Sequence, residues 1–139
     1  MLVKVIVDSN IWSEAFRKQT DAPSPELRML NDLVREGRVQ MLGCIRQEVL
    51  QGLRRQEVFE RIRQSLRALP DREASLLEYE LAAEFFSTCR GKGIQGSSTG
   101  FLIAACSVTW GVTWGLPLLT KDKDFQRYAE HIPLRLVRV

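Results

Sequence analysis

The sequence predicts an α/β fold, a three-layer α/β/α sandwich with a mainly parallel central sheet. Three observations point to it. Short runs rich in Val, Ile and Leu barely alternate in polarity, as strands buried on both faces do. Segments with apolar residues at helical spacing separate these runs. Acidic residues follow the runs: Asp8 after Leu2–Val7, Glu48 after Val39–Ile45, and Asp122 and Asp124 after Leu116–Thr120. In parallel sheets that position is the carboxyl edge, where ligands bind.

Each element has its own signal. Leu2–Val7 reads as the first strand, broken by Asp8 and Asn10, with a short helix from Ile11 to Arg17 behind it. Gln19–Pro23 is a polar loop. Ser24 followed by Pro25 marks a helix start, because Ser caps and Pro suits the first helical position. Leu27, Leu30, Leu33 and Val34 recur at helical spacing, and Gly37 ends that helix. Val39–Cys44 reads as a second strand. Arg46–Leu53 turns helical, with Glu48 in its first turn. Glu57–Leu69 repeats the helical period through Val58, Ile62, Leu66 and Leu69, up to Pro70. Asp71 or Arg72 opens the longest helix, running to Cys89, with an apolar face of Leu76, Leu77, Leu81, Phe85 and Phe86. Gly91, Gly93 and Gly96 mark a loop, after which Ser97, Ser98 or Thr99 caps a helix carrying FLIAACSV. The doubled VTWG, Val108–Gly111 and Val112–Gly115, ends that helix and turns the chain. Leu116–Thr120 is a strand, Asp124–Ala129 a short helix and Leu134–Val137 a final strand.

The 139 residues suit a single domain over 1–139 with one core. At 45% hydrophobic and 27% charged, the composition is that of a folded soluble chain, and no apolar run is long enough to span a membrane. MLVKVIVDSN lacks the length and cleavage site of a signal peptide, so a cytoplasmic protein is expected. Cys44, Cys89 and Cys106 are scattered and read as buried free thiols. With the single His131 they lack the spacing of a zinc site. A net charge of +3 permits a nucleic-acid partner without demanding one. Arg46, Arg54, Arg55, Arg61, Arg63, Arg67 and Arg72 crowd the middle third, mostly as solvated helix faces.

The acidic residues carry the chemistry. Singly they are weak signals: Asp after a strand is often only a helix cap, and Glu in a first turn gains from the helix dipole. TKDKDF (Thr120–Phe125) is stronger, since two Asp after a buried strand exceed what a cap needs. Carboxylates brought together repel, and a hard divalent cation resolves the conflict. Mg²⁺ or Mn²⁺ takes such oxygen ligands, and the reaction class inferred is phosphodiester hydrolysis. A phosphoaspartyl enzyme would want a second Asp two residues after Asp8, where Asn10 stands.

Four blocks together resemble a PIN-domain ribonuclease of the VapC toxin type. They are VDSNIW (Val7–Trp12), QEVLQGL (Gln47–Leu53), FLIAA (Phe101–Ala105) and LLTKDKDF (Leu118–Phe125), in order along essentially the whole chain. The resemblance implies Mg²⁺ or Mn²⁺ as cofactor, RNA as substrate, a homodimer, and a cognate antitoxin that blocks the site. It assigns Asp8, Glu48 and Asp122 to catalysis and metal binding, with Asp124 as a further metal ligand. Ser9, Asn10 or Thr120 would orient ligands or water. The departure is Gly100, which stands where the family pattern has a metal-binding Asp. With Ser97 as cap, residue 100 is the third helical position, where an acidic side chain is favoured and Gly costs about 0.5–1 kcal/mol relative to Ala. Two explanations stay open: an inactivating replacement of a parental Asp, or a natural, weakened member. The resemblance also places an antitoxin groove between the Arg-rich helices and the acidic crevice. A scaffold that binds antitoxin or RNA without cutting is the alternative reading.

Overall fold

The structure is a computed structural model that describes residues 3–17, 21–111 and 115–139. Leu2, Gln19 and most of the second VTWG, for which the sequence carried expectations, lie outside those residues. Three short parallel strands form the sheet in the order β2-β1-β3: β1 (Val5–Val7), β2 (Val39–Gln40) and β3 (Leu118–Leu119). Val5 pairs with Val39 on one side of β1, and Val7 with Leu119 on the other. All three β1 residues are buried, as are Leu118 and Leu119, which explains why no polarity alternation shows in the sequence. Among the described residues, seven helices flank the sheet: α1 (Ser9–Phe16), α2 (Pro25–Arg35), α3 (Gly43–Gln51), α4 (Gln56–Leu66), α5 (Leu76–Gly91), α6 (Ser98–Thr109) and α7 (Asp124–Ala129). α1 packs on α2 and α3, α3 on α4, and α5 on α6.

The α/β architecture and the parallel sheet agree with the sequence, as do the Ser24 and Ser97 caps and the bounds of α7. Several boundaries differ. α1 begins at Ser9, two residues early, because the Asp8 carboxylate accepts the Ser9 N–H and caps it. β2 stops at Gln40 and α3 starts at Gly43, so Cys44 and Ile45 are helical rather than extended. One apolar run served both as strand and as the buried side of a helix, and periodicity cannot divide so short a run. Glu48 therefore lies in the middle of α3, not in its first turn. α4 ends at Leu66, short of Leu69.

The long helix α5 starts at Leu76, four or five residues later than its expected start at Asp71 or Arg72. Residues 71–75 instead run along the sheet edge, where Asp71 bridges Met41 and the Arg72 N–H donates to the Met41 carbonyl at 3.3 Å. Glu78 then anchors the helix, accepting from the Ser75 N–H and hydroxyl, both at 2.9 Å. Leu76 and Leu77, expected on the apolar face, are 76% and 61% exposed, and Val34 of α2 is also exposed. The expected last strand is reduced to one bridge, Leu136 to Leu118.

The end of α6 is tied to β3. The Leu116 N–H donates to the Ser107 carbonyl at 2.8 Å, and the Ser107 hydroxyl donates to the Leu116 carbonyl. Gly115, at φ +73°, permits that approach: a Cβ there would lie 2.2 Å from the Ser107 carbonyl oxygen. Gly115→Ala is expected to destabilise the fold by about 3 kcal/mol or more, through overpacking and a disfavoured backbone. Urea unfolding measures it, and an unchanged midpoint would refute the clamp.

Candidate metal and nucleic-acid site

The carboxyl edge of the sheet delivers each acidic residue. Asp8 follows β1 directly, Glu48 is carried by α3 after β2, and Asp122 and Asp124 follow β3. Together with Gly100 they line one crevice of about 430 Å³, which Ser9, Asn10, Ser97 and Tyr128 help to enclose. Asp8 is only 5% exposed. Its two oxygens accept from the Ser9 N–H and from the Thr120 hydroxyl, each at 2.7 Å. Thr120 Oγ1 in turn accepts the Asp122 N–H at 3.0 Å, and Asn10 Oδ1 accepts the Lys121 N–H at 3.3 Å. Thr120 and Asn10 thus fasten the TKDKDF loop onto the first strand end. Ser9 touches both carboxylate-bearing elements: burial raises the Glu48 pKa, and the Ser9 hydroxyl hydrogen bond opposes that rise.

The electrostatics are those of crowded carboxylates. Burial raises the Asp8 pKa, the hydrogen bonds from Thr120 and Ser9 oppose that, and the Asp122 charge adds to it. Burial and the Asp8 charge likewise raise Glu48. Among the described residues Glu48 is in no ion pair, so a half-buried charge stands near another without a counterion. Asp124 is different: Arg127 pairs with its carboxylate, and its N–H is held by Asp122 Oδ1 at 2.9 Å. Asp122 therefore also caps the start of α7, and of the two loop aspartates Asp122 acts more strongly on Asp8.

The donors suit a hard divalent cation in kind, being carboxylate oxygens that repel one another. In number they fall short: among the described residues no three acidic, histidine or cysteine side chains gather closely enough to hold a metal ion. Gly100, the third residue of α6, also lines the crevice, and its N–H donates to the capping Ser97 hydroxyl at 2.9 Å. A Cβ at residue 100 would sit 3.0 Å from Ser97 Oγ and 3.8 Å from the rings of Phe125 and Tyr128. Only the small serine hydroxyl must shift, by a few tenths of an ångström, so a side chain fits here.

Two residues around the site gave no sequence signal. Tyr128 was merely part of a short helix, yet it walls the crevice, and burial followed by the Asp124 and Asp122 charges raises its pKa. Glu14, 7% exposed, accepts from the Lys121 ammonium and from the Ser24 hydroxyl at 2.7 Å, tying α1, α2 and the TKDKDF loop together. The bond from Lys121, then that from Ser24, lowers its pKa to about 2. A depressed carboxylate contributes stability above its unfolded pKa and loses it as pH falls toward the folded value. Glu14→Gln is therefore expected to cost about 1–3 kcal/mol at pH 7. The difference from the parent should shrink as urea unfolding is repeated toward pH 2; a constant difference would refute the ionic origin.

The remaining expectations sort plainly. Cys89 and Cys106 are buried free thiols, but Cys44 is half-buried and one helical turn before Glu48. Burial, then the Glu48 charge, raises the Cys44 thiol to about 11, which leaves it unreactive. Arg46 is committed to the fold, pairing with Asp71 and donating to the Leu69 carbonyl at 2.6 Å. It is thus not a free contact for an antitoxin; Arg54, exposed on the surface, is the better reporter. Among the described residues no helix is long and apolar enough to cross a membrane.

Comparison with known proteins adds the family. The PIN domain family matches residues 5–131. No curated protein sequence matches significantly. Solved structures share the fold at low identity. FitAcB from Neisseria gonorrhoeae matches at 18% identity and TM-score 0.73, covering 96% of each chain. VapBC2 from Rickettsia felis, bound to a DNA fragment from their promoter, matches at 16% and 0.75, covering 97% of this chain and 98% of that one. DNA-bound VapBC from Salmonella typhimurium matches at 13% and 0.69, covering 98% of each.

Proposed function

Because the chain belongs to the PIN domain family, we propose that it is built as a metal-dependent endoribonuclease toxin whose centre is impaired by Gly100. The observation that carries this reading is the convergence of Asp8, Glu48 and Asp122 on one crevice that Gly100 also lines. Asp8, Glu48 and Asp122 would supply carboxylates to Mg²⁺ or Mn²⁺ once a further one at residue 100 completed the set, with Asp124 at the margin because Arg127 already neutralises it. When bound, such a cation lowers the pKa of a water and stabilises negative charge on a phosphodiester. The chain's own residues do the rest. Thr120 and Ser9 orient the Asp8 oxygens, Asn10 fixes the loop that carries Asp122, and the buried base of the crevice excludes bulk water from one side.

The solved relatives are complexes of toxin and antitoxin type, which supports a cognate antitoxin as partner here. A homodimer, a cytoplasmic setting and a single domain over 1–139 belong to the same proposal. The experiment compares cleavage of labelled RNA in Mn²⁺ by the parent and by Gly100→Asp. Robust cleavage by the parent would sink the impairment, and none by either would sink the nuclease.

One observation favours a second reading, a scaffold that binds without cutting: the carboxylates present do not complete a metal cluster. Titration of Mn²⁺ into Gly100→Asp separates the two, since a pure scaffold takes up no metal even then.

A further inference from the structure

Thr120, whose hydroxyl holds Asp8, also stands in the wall of a second, open groove of about 940 Å³. Four cations line that groove, Lys121, Lys123, Arg135 and Arg138, against one acid, Glu26. All four cations are exposed. Glu14 holds Lys121, and Arg135 donates to the Gly115 carbonyl at 3.4 Å. Among the described residues Lys123 and Arg138 are in no ion pair. The rest of the lining is largely aliphatic, with no aromatic ring among the described residues that form it.

We infer that this groove binds the phosphate backbone of single-stranded RNA and leads it across Thr120 into the acidic crevice. The destination rests on the nuclease reading; the binding does not. The crevice cannot hold a strand by itself, because its carboxylates repel phosphates at every position except one neutralised by a cation. The grip must come from the flank, and the cationic groove adjoins the crevice: Thr120 in its wall bonds Asp8, and Lys121 and Lys123 alternate in sequence with Asp122 and Asp124 of the crevice. Without aromatic platforms for base stacking, the contacts are electrostatic, tolerant of sequence and sensitive to salt. An acidic protein segment would meet the same cations. The place of the groove beside the acidic crevice, joined to it through Thr120, favours an evenly charged polymer that continues past it.

The test measures fluorescence anisotropy of a short labelled RNA in EDTA, so that cleavage plays no part. The double variant Lys123→Glu/Arg138→Glu is expected to bind about tenfold more weakly. Its plot of log K against log salt should flatten by about 1.4, or about 0.7 for each lost phosphate contact. Arg54→Glu/Arg61→Glu, exposed on the surface outside the groove, should leave that slope unchanged. Melting curves check that each variant folds, and Arg138→Glu alone serves if the double variant does not. An unchanged slope in the groove variant overturns the inference, as does poly-glutamate binding more tightly than RNA and losing that binding in the same variant. If Gly100→Asp fails to cleave while the groove variants still lose RNA, the nuclease reading falls and the groove stands.

Discussion

Gly100→Asp is expected to raise divalent-metal affinity and RNA cleavage by at least about a hundredfold over the parent chain. The figure is the upper end of the range, about 10–100-fold, that losing even an outer partner of a metal ligand costs, and a ligand itself counts for more than its partner. The substitution asks little of the fold. Residue 100 has ordinary helical backbone, the nearest side-chain atom is a serine hydroxyl at 3.0 Å, and the two rings beyond are at van der Waals distance. Replacing Gly inside a helix recovers part of about 0.5–1 kcal/mol, and a carboxylate in the first turn interacts favourably with the helix dipole.

Against this stands the added repulsion among carboxylates in a crevice that already raises two of them. The metal-free variant should therefore gain little stability, whereas Mn²⁺ at about a thousand times its Kd should add about 4 kcal/mol. Calorimetry measures the affinity and melting curves the stabilisation. A variant that melts at the same temperature with and without saturating Mn²⁺ would show that the crevice is no metal site.

Much of this site was legible because it depends on strand ends. Buried parallel strands leave uninterrupted Val, Ile and Leu runs, and the residue after such a run is at the sheet's carboxyl edge by construction. That logic places Asp8 and Asp122 without any knowledge of packing. Glu48 was legible as the acid after the second apolar run, but its place in the helix was not: it was expected in the first turn. The helix dipole is irrelevant to a residue in the middle of α3, and its position comes from the helical face it shares with Cys44. The late start of α5 was not legible, because Asp71 and Arg72 look like helix openers. Their partners on Met41, thirty residues away, are visible only in three dimensions. Glu14 and Tyr128 are hidden for the same reason: each depends on residues from other elements, and long-range pairs leave no local period to read.

Asp8→Asn, made in the Gly100→Asp background, should abolish metal-dependent cleavage by at least about a hundredfold while making the metal-free protein more stable at neutral pH. The two effects share one cause. Asp8 is buried beside other carboxylates, and its raised pKa means that the fold disfavours the charge that a cation would require. A carboxylate raised on folding binds its proton more tightly in the native state. The native state therefore loses stability as pH rises from the unfolded pKa, near 3.8, up through the folded value, and the deficit is full above it. Asn carries no such deficit and caps α1 as well as Asp does, still accepting the Ser9 N–H. The contacts to be remade are with Thr120, whose hydroxyl now donates to the carboxylate, and with the Asn10 amide, which donates to the same oxygen at 3.5 Å. The Asn variant should therefore melt higher than its parent at pH 7, with the advantage shrinking toward pH 4. Saturating Mn²⁺ should reverse the order, because only the carboxylate form gains from the ion. A crossing of the two melting temperatures on adding metal is the result expected. If Asn lowers stability at every pH, Asp8 is a structural cap, and the centre of the site lies elsewhere.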